Sequence, residues 1–184
     1  MSSCCPAGDH GASNELALCP VSGTTGSPVE QQTVKALLTV SALRRLSATA
    51  HRFCPDPACD VVYFAEDGQA YVRADIRVSV WQKERFGARV ICYCFGENEA
   101  DIGAEIDTRG KSEAEKRVRE HIQAGRCACE VRNPRGVCCL GELGAAVKRV
   151  AEALSRVDVS RTDRSVRWTP TEPIKSASLR READ

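Results

Sequence analysis

The sequence predicts an α+β fold in which a small β-rich unit is followed by a helical unit and a disordered polar tail. Three observations predict it. Runs of β-formers separated by turn signals fill residues 34–91, capped helical patterns replace them after Cys94, and the cysteines fall into two groups, Cys4 to Cys59 and Cys92 to Cys139. At 184 residues the chain holds one ordinary domain or two small ones. Hydrophobic residues make up 42% but aromatics only 5%, so each half has a thin core that calls for cross-linking.

Residues 1–32 are rich in Ser, Gly, Thr and Pro without periodicity and read as loop, with 1–16 a flexible N-terminal segment. Val34 to Val40 (VKALLTV) is a short apolar run that period alone does not decide; we read it as a strand, with a helical turn at Ser41 to Leu46. Phe53, Val61 to Phe64 and Ala70 to Val72 read as strands. Asp67-Gly68 between the last two is a strong hairpin signal. Ala74 to Trp81 and Arg89 to Ile91 add strand-like pieces, which closes a β-rich unit over residues 17–91. Asn98 caps a helix through about Ile106, and Ser112 with Glu115 reads as a capping box for a helix that ends at Gly125. Leu140, Leu143, Val147, Val150 and Leu154 recur at spacings of three and four, the stripe of an amphipathic helix that completes a helical unit over 92–154. Residues 155–184 carry seven basic and five acidic side chains with Pro170 and Pro173, the composition of a disordered tail.

A formal net charge of +1 supplies no field to draw in nucleic acid or an anionic membrane. No apolar run approaches the roughly 20 residues of a membrane span, and the first 20 residues lack the pattern of an export signal, so we expect a cytoplasmic protein. Nucleophile–base pairs, a phosphate-binding loop and a dinucleotide fingerprint are all absent, which leaves an independent enzyme active site unsupported. Eleven cysteines in a reducing compartment point to metal or redox chemistry. Two four-thiolate sites use eight of them, so two metal centres is the simplest account.

In the second group, Cys92-Tyr93-Cys94 precedes a helix start, where free backbone N–H groups favour anionic sulfur. Cys127-Ala128-Cys129 is followed by the turn Asn133-Pro134-Arg135-Gly136 and by Cys138-Cys139 at the opening of the last helix. That turn is expected to fold Cys129 back toward Cys139. Thiolates on such turns hold iron–sulfur clusters, although a four-cysteine zinc site has the same ligand type. In the first group, Cys54 and Cys59 enclose Pro55 and Pro57 in a knuckle with the spacing of structural zinc sites. Cys4-Cys5 are adjacent thiols suited to soft metals such as Cu(I) or Hg(II).

The pattern Cys92-x-Cys94, a gap of 34 residues, Cys129, then Cys139 before Leu140-Gly141-Glu142-Leu143 resembles the bacterioferritin-associated ferredoxin type of domain. More narrowly, VICYCFG, CEVRNPRGVCCLGEL and FCPDPACDVVYF resemble the N-terminal zinc- and cluster-binding domain of prokaryotic copper chaperones, over roughly residues 17 to 150. The resemblance implies a [2Fe–2S] cluster on Cys92, Cys94, Cys129 and Cys139, with Cys138 as the rival for the fourth place and Cys127 unassigned. It also implies a zinc site on Cys19, Cys54 and Cys59. The family completes that site with Cys-Pro-x-Cys, whereas this chain reads Cys19-Pro20-Val21-Ser22. The missing ligand is expected from Cys5, with Cys4 as the alternative and His10 and His51 the remaining nearby donors. The Met-x-Cys-x-x-Cys loop of the chaperones' copper domain is absent, so copper delivery is not carried over. The expected function is a one-electron carrier in metal-ion handling, working with a redox or metal-trafficking protein. The alternatives are a zinc-stapled interaction module and a soft-metal buffer built on Cys4 and Cys5.

Overall fold

The computed structural model describes residues 18–160, with side chains to residue 156. It shows a mixed α+β protein that divides into two compact units, 18–83 with Ala128–Cys138, and Glu84–Cys127 with 139–160.

The first unit is built on a four-stranded antiparallel sheet in chain order: β1 (Ser27–Val29), β2 (His51–Phe53), β3 (Val61–Ala65) and β4 (Ala70–Val72). Phe53 faces Tyr63 across β2 and β3, and Val61 faces Val72 across β3 and β4. The β3–β4 hairpin turns where Asp67-Gly68 predicts it: Gly68 takes φ 88°, the Gly68 N–H donates to the Ala65 carbonyl, and Asp67 Oδ1 accepts from the Gln69 N–H. All five residues of β3 are buried, as a strand covered on both faces requires.

Residues 34–40 correct the expectation of a strand. They belong to helix α1 (Gln31–Leu37) and to a short helix α2 (Val40–Leu43) capped by Thr39, whose hydroxyl accepts from the Ala42 N–H. Thr33, Val34 and Leu37 are the buried face of α1, a spacing of one and three that a strand would have split between two faces. Val34, Leu37 and Leu38 then join Phe53, Val62, Tyr63, Tyr71 and Val80 in the principal core. Ala74 to Trp81 is likewise no strand. The 3₁₀ turns Arg73–Asp75 and Trp81–Lys83 overlap its two ends, and an isolated bridge links Ile76 to Leu38. Helix α5 (Cys129–Arg132) packs on α1, and its Glu130 carbonyl accepts from the Thr33 hydroxyl at 2.6 Å.

The second unit pairs a two-stranded ribbon, β5 (Val90–Cys92) with β6 (Glu97–Asn98), and helices α3 (Glu99–Arg109), α4 (Ala114–Gln123) and α6 (Leu140–Ser160). Asn98 caps α3 as expected, its Oδ1 accepting from the Asp101 N–H at 2.9 Å. The capping box expected at Ser112 does not form. The N-cap position of α4 falls on Glu113, one residue later, and the Ser112 hydroxyl donates to Glu105 Oε2 while accepting from the Ala114 N–H. α3 and α4 both pack on α6, which buries Leu143, Ala146 and Val150. Leu140, Val147 and Leu154 flank that stripe at half-exposed positions, and α6 continues to Ser160, six residues beyond Leu154. Of the expected tail 155–184, residues 155–160 belong to α6 and the rest lies outside the described residues, as does the expected flexible segment 1–16.

Candidate metal centre

Two tight loops of the first unit bring three sulfurs together. The first begins at Cys19: the Cys19 N–H donates to the Thr24 carbonyl, the Gly23 N–H donates back to the Cys19 carbonyl, and a bridge from Leu18 to Thr25 closes its base. The second is the link between β2 and β3. The Cys54 N–H donates to the Val62 carbonyl, and Asp56 folds the loop by accepting from the Cys59 N–H with its carbonyl and from the Ala58 N–H with Oδ1. Pro55 and Pro57 restrict the backbone between the two cysteines, so the local sequence itself stiffens the knuckle.

The Sγ atoms of Cys19, Cys54 and Cys59 lie within 4.8 Å of one another, and the three residues are 2%, 0% and 5% exposed. Val61 and Phe64 pack around them as a small separate core. Gly26 lets Phe64 come that close, since a Cβ there would stand 2.5 Å from the ring. The Cys19–Cys59 separation is 3.8 Å. A tetrahedral zinc ion with Zn–S bonds of about 2.3 Å has S···S edges of about 3.8 Å, so the Cys19–Cys59 pair has the length of such an edge. Burial pushes the Cys19 thiol up, but hydrogen bonds from the Ser22 backbone, the Ser22 hydroxyl and the Val21 backbone outweigh it and bring the thiol down to about 7. The Cys54 thiol is pushed up, chiefly by burial and only partly offset by Ser22.

Lys83 is a part of this site that the sequence does not reveal. It is 6% exposed, and its ammonium donates to the carbonyls of Asp56 at 2.8 Å and Cys59 at 3.0 Å. Burial drives its pKa down, while the Cys54 and Cys59 sulfurs act in the opposite sense. A cation pinned under the knuckle offsets the charge that three thiolates bring to a buried place. Only its burial marks it out, and a lysine in an unremarkable polar stretch carries no such signal in one dimension.

The other candidate ligands are placed as follows. His51 does not join the sulfurs: it is buried in β2 against the Tyr71 ring, with centroids 5.9 Å apart, because its side chain shares the core face of Phe53. Cys4, Cys5 and His10 lie outside the described residues. In the second cysteine group, Cys92 ends β5 and is buried, with its carbonyl accepting from the Gly96 N–H, and Cys94 is half-buried in the turn that follows. Cys129 is the first residue of α5 and is buried, Cys127 is half-buried, and Cys138 is exposed. Cys139 is buried, and its carbonyl accepts the first helical hydrogen bond of α6 from Leu143. Asn133 to Gly136 is the tight turn expected, with the Gly136 N–H donating to the Asn133 carbonyl at 2.7 Å.

Residues 16–77 match a family model described as a zinc binding domain of the CopZ type. No curated protein matches the chain. Among solved structures, the X-ray structure of the N-terminal domain of Archaeoglobus fulgidus CopZ is 30% identical in sequence with a TM-score of 0.56, and the match covers 69% of this chain and 97% of that one. The chain belongs to the CopZ N-terminal domain family. The two loops and their three sulfurs fall inside the CopZ-type zinc binding segment, and both findings support zinc as the ion and metal handling as the domain's business. None of the described helices is long and apolar enough to cross a membrane.

Proposed function

We propose that this CopZ-type protein is a cytoplasmic zinc and [2Fe–2S] metalloprotein that carries one electron during metal-ion handling. The electron goes to a metal ion or to a redox or metal-trafficking partner protein. The observation that carries the zinc half is the buried trio Cys19, Cys54 and Cys59, three soft donors gathered where a mobile surface site would not hold them. Zinc there ties the loop of Cys19 to the sheet.

The cluster half rests on the second cysteine group. Cys92, Cys94, Cys129 and Cys139 are proposed to hold the cluster, which when bound supplies a one-electron couple. Their setting supports this. Cys92 ends β5 and Cys94 sits in the tight turn that leads through β6 to α3, and Cys129 and Cys139 stand at helix starts, where backbone N–H groups favour anionic sulfur. Burial favours Cys139 over the exposed Cys138 as the fourth ligand. An all-thiolate set keeps the potential below that of a centre with histidine ligands.

The test is anaerobic purification, with iron, sulfide and zinc measured on one sample and absorption and EPR spectra taken before and after dithionite. Two irons and two sulfides per chain, with a signal that appears on reduction and is lost in Cys92→Ser, support the carrier. Colourless protein that holds only zinc after anaerobic reconstitution removes it and leaves a zinc-stapled interaction module. Capture of Cu(I) that depends on Cys4 and Cys5 marks the soft-metal buffer instead.

A further inference from the structure

The fourth corner of the zinc site is where this chain departs from a complete sulfur set. Ser22 stands at the end of Cys19-Pro20-Val21-Ser22, in the same loop as Cys19, and its Oγ lies 3.6 Å from Cys54 Sγ. The loop fixes that oxygen, which also accepts from the Thr24 N–H at 3.3 Å. For a tetrahedral zinc with Zn–S of about 2.3 Å and Zn–O of about 2.0–2.2 Å, an S···O edge is about 3.5–3.7 Å. The Ser22–Cys54 separation therefore has the length of an edge with oxygen at one end, just as the 3.8 Å between Cys19 and Cys59 has the length of an edge between two sulfurs. The carboxylates of the second loop are already engaged. Asp56 Oδ1 accepts from the Ala58 N–H, and Asp60 Oδ1 accepts from Arg73. Among the described residues, the metal-binding group comprises the three cysteines and no carboxylate or imidazole.

We infer that the ion at Cys19, Cys54 and Cys59 sits in a three-sulfur, one-oxygen site whose fourth corner is marked by Ser22 and is exchangeable for an incoming thiolate, from a small-molecule thiol or from a cysteine of a partner protein. The inference rests on the zinc reading above. A neutral hydroxyl is a weak zinc ligand beside a thiolate, so the oxygen gives way to sulfur. The exchange needs no redox chemistry: the entering thiol loses its proton to solvent, its sulfur binds the ion, and the oxygen ligand leaves neutral. The corner makes this centre a docking point for a soft donor, which a closed four-sulfur site is not.

The test uses the full chain loaded with cobalt(II), read as a difference spectrum against the Cys54→Ser/Cys59→Ser double variant so that the second cysteine group cancels. The unaltered protein is expected to show sulfur-to-cobalt charge transfer from three thiolates, rising by about a third as 2-mercaptoethanol adds a fourth. Ser22→Cys is expected to start at the four-thiolate intensity and ignore added thiol, and to release zinc to a chelator on the order of tenfold more slowly. Cys4→Ser and Cys5→Ser leave the spectrum of the otherwise unaltered protein unchanged. Four-thiolate intensity without added thiol, falling by about a quarter in Cys5→Ser or Cys4→Ser, overturns the inference and leaves the zinc reading standing, with the corner closed by the N-terminal segment. A null difference spectrum overturns both. The thiol titration of the unaltered protein decides the matter even where Ser22→Cys fails to fold.

Discussion

Replacing Lys83 with methionine keeps the length and packing of the side chain and removes its charge and its donors. In the metal-free protein the carbonyls of Asp56 and Cys59 lose their ammonium partner in a place that is 6% exposed. Each buried acceptor left unmatched costs about 1–3 kcal/mol, and release from the need to desolvate an ammonium returns part of that. The net expectation for the metal-free form is a loss of about 1–3 kcal/mol, read as a lower urea midpoint at unchanged slope. The metal-loaded form loses more. Zinc with three thiolates carries a net negative charge, and Lys83 is the cation that the fold buries beneath it. Removing such a support lowers metal affinity by about 10–100-fold, measured by competition with a chromophoric chelator. Zinc affinity within about threefold of the unaltered protein, at a reduced urea midpoint, would refute the electrostatic part of the argument and leave Lys83 a packing residue.

Three further outcomes are expected. Zinc removal by a strong chelator costs the first unit binding free energy on the order of 10 kcal/mol, so circular dichroism and proteolysis show residues 18–83 unfolding while added zinc restores them. Gly136→Ala destabilises by about 1–3 kcal/mol, because Gly136 has φ 68° and a Cβ there would stand 2.8 Å from the Thr33 hydroxyl that holds α5 to α1; thermal melts of the loaded protein check it. Acid weakens the second unit through Glu105, whose carboxyl is held down at about 2, first by hydrogen bonds from Arg117, against the opposing effect of burial, and further by Ser112 and the Glu113 backbone. A depressed carboxylate stabilises fully above its unfolded value near 4.5 and loses that contribution as pH falls through about 2. Because Arg117 is 37% exposed, screening trims the gain to about 1–2 kcal/mol. Urea midpoints of the unaltered protein and of Arg117→Gln are therefore expected to converge between pH 5 and 2.5, and a constant gap would contradict the assignment.

What the sequence determined by itself is local. Asp67-Gly68 is a turn because a left-handed position between β-formers needs glycine, Asn98 is a cap because its side chain reaches an N–H three residues on, and Cys54 to Cys59 is a knuckle because two prolines restrict the backbone between the cysteines. Each is settled within a few residues, and each is where it was expected. The run Val34 to Val40 was undecidable locally: its apolar residues suit either period, and burial of Val34, Leu37 and Leu38 in a shared core chose the helix. The site divides along the same line. That Cys54 and Cys59 are candidate ligands was legible from their spacing and Cys19 was implied by the resemblance, but the meeting of the three within 4.8 Å joins residues up to 40 positions apart. The placing of Ser22 against Cys54 and of Lys83 under the knuckle likewise spans 32 and 24 positions. Such contacts depend on loop closure and on which face each strand turns inward, quantities that belong to the assembled sheet and leave no period or spacing in the chain.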